Sequence, residues 1–308
     1  MTTLRVVGLA RNRRGGNTPP GGPAVRGWGR FAAPALVAVA LLYLLPLAAN
    51  AVLAFTDWSG FRSEIGFRGF GNFRDLIERA SLPRQLELTI IYAVVASFLG
   101  NVASLFMAFV LERPTRINIL FRAVFFIPVL LSPLAAGYVW AGILDPSGPL
   151  NQFIGLIAPG FRHAWLGSTT FAIYIVAAID AWKWSGFFTL IYIAGLTTVP
   201  TELKEAAIVD GASPWKVIRK VKMPFLAPAM TFNITVTVIG ALSSFDIIMA
   251  TTKGGPGSST RVLNVLTLDQ FGTGFFGLAS ATSLIVSVLV VVSAIPLVWY
   301  LRRREIDA

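Results

Sequence analysis

Ile285-Val-Ser-Val-Leu-Val-Val-Val-Ser-Ala-Ile-Pro-Leu-Val298 runs for fourteen residues without a charge. Its apolar side chains form no stripe at helical spacing. They surround the axis, which suits a helix bathed in lipid better than one packed on a soluble core. Leu36 to Leu47 has the same character. A helix crosses the roughly 30 Å hydrocarbon layer in about 20 residues. Apolar stretches of that length recur six times, near 31–55, 87–111, 121–144, 171–196, 226–249 and 277–300. The expected fold class is an all-α membrane protein with six transmembrane helices, since a β-barrel would need short alternating segments.

Composition points the same way. Of 308 residues 55% are apolar and only 13% are charged, with a mean hydropathy of +0.69. A soluble domain carries charge on roughly a quarter of its residues. Cysteine is absent and His163 is the single histidine, which excludes a disulfide scaffold, an iron–sulfur centre, a Cys nucleophile and a His/Cys zinc cluster. No metal site and no catalytic residue is expected: a Ser-His-Asp triad would have to be built around a histidine in a connecting loop. No Gly-Lys dipeptide occurs, so the chain lacks a Walker A lysine and is not itself a P-loop ATPase.

Lys and Arg exceed Asp and Glu by 26 to 15, a net charge of +11, and their placement reads as an orientation signal. With the N-terminus inside, residues 1–30, 112–122, 197–225 and 301–308 hold 17 basic residues, against 8 in 56–86, 145–170 and 250–276. The positive-inside rule then places both termini in the cytoplasm. Residues 1–30 carry six arginines, no acid and a Gly/Pro-rich stretch. They read as a disordered basic cytoplasmic tail orienting the first helix, not as a cleaved leader. The transmembrane domain is expected over 31–300, with 301–308 a second cytoplasmic tail. Nucleic acid is not an expected partner, because the basic tail has neither a fold nor aromatic interleaving.

The informative connection runs from Val199 to Pro224. It reads as two short helices: Thr201 placed to cap the first, Glu202 and Glu205 in its early turns, Gly211 ending it, and Ser213-Pro214 opening a second helix rich in Lys and Arg. Ala206 and Ala207 leave a smooth face that permits close approach by another protein. An ordinary surface helix pair would look the same to this point. The spacing is more specific. Glu205-Ala206-Ala207, Gly211 after three residues and Val221-Lys-Met-Pro224 after nine more resembles the EAA loop of binding-protein-dependent ABC transporter permeases, with Val221 and Met223 in place of Ile and Leu.

The resemblance covers roughly residues 31–300. Phe126-Ile-Pro128, Trp140, Leu144 to Asn151 and Ala194-Gly-Leu196 are similar to carbohydrate-type permeases. Ser244-Phe245-Asp246, Thr252-Lys-Gly-Gly-Pro-Gly-Ser-Ser-Thr260 and the small residues Gly277, Ala279 and Ala281 resemble the maltose- and glycerol-3-phosphate-type first permease. The first outer loop is only about thirty residues, too short for a large extra outer domain. The resemblance implies the type I ABC importer permease fold and alternating access in the cytoplasmic membrane of a prokaryote. It implies Glu205, Ala206, Ala207, Asp210, Gly211 and Pro224 as the ATPase-coupling element, beside the basic Lys216, Arg219 and Lys220. The implied partners are a second homologous permease, two copies of a cytoplasmic ATPase subunit and an extracytoplasmic sugar-binding protein, within the lipid bilayer. No cofactor is implied for this chain; ATP and Mg are used by the ATPase.

Polar residues inside apolar spans mark a pathway or a structural contact. Asp180 and Lys183 share a helical face and can neutralise each other, or else wall a path; Trp182 and Trp184 flank them, and tryptophan faces stack on sugar rings. Asp246, with Phe245 and Ser244 before it, is either a wall of the path or a helix-end Asp that bonds the next loop. Asn233, Thr235 and Asn101 can line a path or join helices. The candidate substrate-path residues are therefore Asp180, Trp184, Asn233, Ser244, Phe245 and Asp246. Pro46, Pro128, Pro133 and Pro296 interrupt spans and permit kinks. Two other functions fit the composition: an ion-driven secondary transporter, which calls for inverted repeats and embedded coupling carboxylates, and a membrane enzyme using Asp180 or Asp246.

Overall fold

The computed structural model describes residues 28–79, 82–303 and 305. The expected basic tail therefore lies almost wholly outside the described residues, as does most of the segment after Arg303. Among the described residues the secondary structure is helical, apart from one isolated antiparallel bridge between Thr56 and Phe67. The chain divides into two compact units, residues 1–49 and 50–308. Helix begins at Trp28, and α1 (Ala32–Leu53) is long and apolar enough to cross a membrane. So are α3 (Leu82–Leu111) and α13 (Phe276–Arg302). Three further helix pairs reach that standard if each bent pair counts as one span, which gives six.

The second unit opens with a loop that the short helix α2 (Gly71–Glu78) closes. Buried Asn72 donates its amide to the carbonyls of Ala54 and Thr56 at 2.8 and 2.7 Å, fixing the loop against the end of α1. At α3, two faces separate at a spacing of four. Leu88, Tyr92, Ala96, Gly100, Ser104 and Ala108 are buried, while Val94, Phe98, Val102, Phe106 and Val110 are exposed. The buried face is mostly small, and α7 (Ala172–Thr197) packs along it. Ser104 donates to the carbonyl of Ser185 at 2.9 Å, and Thr189 returns a bond to the carbonyl of Ser104 at 3.3 Å. Small side chains let helix backbones approach, and hydroxyl-to-carbonyl bonds hold them.

The third apolar run departs from the single span expected over 121–144. It folds as α4 (Arg116–Leu130) and α5 (Pro133–Ile143), bent by 100°. Ser132 caps α5 by accepting from the Ala135 amide at 3.1 Å, and Pro133 takes the first helical position. Proline lacks the amide that would continue α4 and disfavours the α conformation for the residue before it, and Ser132 is extended, so the chain turns there. α4 lies against α7 where Gly186 has no side chain: a Cβ at that position would meet the Phe125 carbonyl oxygen.

Beyond the short helix α6 (Pro149–Gly155) and α7 come α8 (Thr201–Val209), bent 73° from α7, then α9 (Pro214–Phe225) and α10 (Ala227–Leu242), bent by 71°. α10 stops at Leu242, short of the 249 expected. Ser243 to Phe245 leave helical geometry, and α11 (Asp246–Thr251) is a separate short helix. The connection expected over 250–276 contains α12 (Leu263–Gly272), whose buried Leu263, Val265 and Leu266 pack toward α13 and α3. α13 continues to Arg302, two residues into the expected tail.

Candidate functional site

Two regions hold the residues singled out from the sequence. The first is the α8–α9 loop. Thr201 is the first residue of α8 and makes no capping bond with its side chain; Pro200 precedes it as the cap. The C-terminal end follows the expectation closely. Gly211 has φ +74°, its amide bonds the Ile208 carbonyl at 3.0 Å, and the Ala212 amide bonds the Ala207 carbonyl at 2.9 Å. This paired closure needs a left-handed residue, which glycine adopts without a Cβ penalty. Ser213 then accepts from the Lys216 amide and Pro214 starts α9. The middle of α9, Ile218–Lys222, is wound as a π-helix.

Glu205, Ala206, Asp210 and Gly211 are exposed on this loop, and Ala207 is half-buried. Leu203, Ile208, Val209 and Trp215 are also exposed, Val209 at 87%. An apolar end of this kind lies beside carboxylates and the exposed Lys216, Arg219 and Lys220, the mixture of groups that protein contacts commonly use. These apolar residues were not singled out from the sequence. Their signal was available, since an amphipathic α8 of nine residues has no room for both a buried face and three exposed apolar groups. Pro224 sits half-buried in the last turn of α9.

α9 is tied to the bundle. Lys222 pairs with Glu112, just past the end of α3, and both side chains are mostly buried. Arg122 of α4 donates to the carbonyls of Leu111 and Glu112, the latter at 3.0 Å. Beneath them Ala108, Leu111, Tyr192, Ile193, Leu196 and Leu226 form one buried cluster. The loop thus stands on a junction of α3, α4, α7 and α10.

The second region is a cavity of about 380 Å³, within the size range of small-molecule sites. α3 contributes Ala96 and Gly100, α7 contributes Asp180 and Trp184, and α10 contributes Thr237. The break after α10 adds Ser243, Ser244 and Phe245, and α11 adds Asp246. The broken helix therefore delivers hydroxyls and a carboxylate to one wall. Five of the six candidate path residues, Asp180, Trp184, Ser244, Phe245 and Asp246, come together here. Asn233 does not line the cavity: it is fully buried and donates to the Phe188 carbonyl at 3.1 Å, joining α10 to α7.

Asp180 and Lys183 are not joined as an ion pair. Tyr92 of α3 donates to Asp180 Oδ2 at 2.9 Å. Its oxygen lies 3.1 Å from Ser244 Oγ, and because the tyrosine proton is already given, the serine donates. Lys183 is buried, with its ammonium 3.9 Å from the Trp184 ring centre. Trp182 packs edge-on against Trp140 at 5.3 Å. Asn101 donates to Thr237 at 2.8 Å and accepts from Tyr192 at 2.7 Å, a link between helices. Thr237 and Phe187 of the wall, and Tyr92 buried behind it, are not among the residues singled out from the sequence. Tyr92 had a readable signal, a hydroxyl within an apolar span, but its partner lies 88 residues away.

Among the described residues no group of three or more His, Asp or Glu side chains is placed to hold a metal ion. His163 is an exposed loop residue whose carbonyl accepts from Asn151 at 2.9 Å.

Known proteins resemble this chain over most of its length. Residues 73–305 match the family described as "Binding-protein-dependent transport system inner membrane component". A Pyrococcus horikoshii protein named as a probable ABC transporter permease is 32% identical over 271 residues, 85% of this chain and 91% of that protein. The trehalose/maltose transport system permease protein MalF of Thermococcus litoralis is 28% identical over 257 residues, 83% of this chain and 87% of that protein. The fold is shared with a crystal structure of a bacterial ABC transporter involved in the import of the acidic polysaccharide alginate. There the TM-score is 0.78 at 20% identity, covering 90% of this chain and 96% of the other.

Proposed function

Because the chain belongs to the family of binding-protein-dependent transport system inner membrane components, we propose that it is the permease subunit of an ATP-driven importer that carries a sugar or related carbohydrate. It is a transport subunit and not an enzyme. The observation that carries this reading is the union of the two regions in one mechanical unit. An exposed, Schellman-capped helix with the Glu205-Ala206-Ala207 pattern continues α7 at a 73° bend, and α7 walls the cavity with Asp180 and Trp184. A trehalose/maltose permease among its relatives supports a sugar as cargo.

On this reading Glu205, Ala206, Ala207, Asp210, Gly211 and Pro224 form the element that meets a separate ATPase, which binds ATP and Mg. Asp180, Trp184, Ser244, Phe245 and Asp246 wall the translocation path, while Asn233 holds two of its helices together. A second homologous permease completes the path, two ATPase copies drive it and an extracytoplasmic binding protein delivers the sugar. The membrane is the cytoplasmic membrane of a prokaryote with both termini inside. Closure of the ATPase pair draws the α8 helices together. Because α8 follows α7 and the loop is tied through α9 to the α3–α4–α7–α10 junction, its displacement tilts the cavity walls and exchanges the open side.

The test is reconstitution with the ATPase and binding protein encoded beside it. ATP-dependent sugar uptake that ignores an ionophore supports the reading. Uptake that persists without the ATPase and collapses with the ionophore replaces it with an ion-driven transporter.

A further inference from the structure

We propose that the cavity admits uncharged sugars and rejects anionic ones, with Asp246 as the residue that sets this preference. The proposal rests on the sugar-permease reading and deepens it. Two ionisable side chains line the cavity, Asp180 and Asp246, and both are acids. Among the described residues of this chain no lysine or arginine is in the lining. Among the described residues neither carboxylate belongs to an ion pair. Lys183, one turn from Asp180, does not reach the wall: it is 1% exposed and its ammonium lies over the Trp184 ring.

The two acids differ. Asp180 is 9% exposed and already accepts from Tyr92, so its capacity is partly used. Asp246 is exposed, on the first residue of α11, where the break after α10 turns the chain into the cavity. A carboxylate accepts hydrogen bonds and donates none, so it pairs with sugar hydroxyls and repels a carboxylate or phosphate. Ser243 supplies a hydroxyl that donates or accepts, Thr237 and Ser244, whose protons are already given, supply acceptor oxygens for sugar hydroxyls, and Trp184 and Phe245 supply faces for ring carbons. Every polar group in this wall suits a hydroxyl-rich neutral ligand, and no group neutralises an anion. The fold does not set the preference, because the same fold occurs in an importer of an acidic polysaccharide. The side chains of this wall do.

The experiment uses the complete reconstituted transporter with its binding protein. The neutral probe is whichever of maltose, trehalose and maltotriose raises the melting temperature of the binding protein, and the anionic probe is the same sugar oxidised to its carboxylate. Uptake is compared with the binding protein saturated by each probe, so that its own selectivity cancels. The wild type should take up the neutral probe at least about tenfold faster, in keeping with like-charge exclusion in a confined site. Asp246→Asn should bring the ratio toward one, and Asp246→Lys should favour the anion. Equal uptake of both probes by the wild type, or a ratio unmoved by both substitutions, overturns the proposal and leaves the sugar-permease reading standing. No ATP-dependent uptake of any of the three sugars overturns that reading, and the proposal with it.

Discussion

Tyr92 and Asp180 meet at 2.9 Å across the α3–α7 contact, with Ser244 closing the set from the end of α10. Three helices distant in sequence are thereby pinned at one point on the cavity wall. Tyr92→Phe removes the shared hydroxyl and leaves a buried carboxylate without its donor. The variant should lose about 1–3 kcal/mol of stability, read as a lower melting temperature in detergent. A melting curve identical to wild type would show that the contact contributes nothing.

Lys222 and Glu112 form a second long-range link, this one beneath the α8–α9 loop. Glu112→Lys or Lys222→Glu leaves a mostly buried charge unpaired and adds repulsion. Each should reduce uptake more than it reduces ATP hydrolysis. The double exchange should restore most of the loss, since the opposite charges meet again. Full uptake in either single variant would exclude the link as a positioning contact.

Gly211 occupies the left-handed cap with open space around it. Gly211→Val meets no clash, so its effect isolates backbone strain, about 1–2 kcal/mol. The expected phenotype is ATP hydrolysis that persists while uptake falls, with normal amounts of protein in the membrane. Gly211→Asn, which tolerates this conformation better, should be milder. Equal uptake by the valine, asparagine and wild-type proteins would count against α8 as the coupling element.

Gly186 and Gly142 make a matched pair. A Cβ at Gly186 would press on the Phe125 carbonyl, whereas one at Gly142 meets nothing within 4 Å. Gly186→Ala should destabilise by about 1–3 kcal/mol through displaced backbone. Gly142→Ala lies inside α5 and should stabilise by roughly 0.5–1 kcal/mol. Thermal unfolding of the two variants in parallel decides the matter: similar shifts in one direction would refute the close approach of α4 to α7.

The legible parts of this molecule were local. Uncharged length marked the apolar runs, and Gly211 and Ser213-Pro214 announced the ends of α8 and α9 because capping is a matter of a few adjacent residues. The same Ser-Pro signal stands at Ser132-Pro133, yet the break between α4 and α5 was read as a kink within one span, because unbroken hydrophobicity outweighed it. The stop after Leu242 had a weaker signal, two serines before Phe245. Asp180 was identified as important, but its partner was expected one turn away at Lys183. Tertiary packing supplied Tyr92 instead. Glu112 and Lys222, 110 residues apart, carry no mark of their pairing in the sequence, since any surface acid and base look alike until the chain has folded.

The small-residue face between α3 and α7 bears on motion. A Cβ added at Gly100 would meet Ala181 at ordinary van der Waals distance, and Ser104 and Thr189 hold carbonyls of the opposing helix. Large interlocking side chains would fix two helices in one register, because each must climb over its neighbour to move. A seam of hydrogens, methyls and hydroxyls offers no such ridges, and a hydroxyl released from one carbonyl finds another a turn further along. Away from the Tyr92–Asp180 bond, which pins the two helices, this stretch of the seam carries no interlocking ridges, so small rearrangements there disturb little packing.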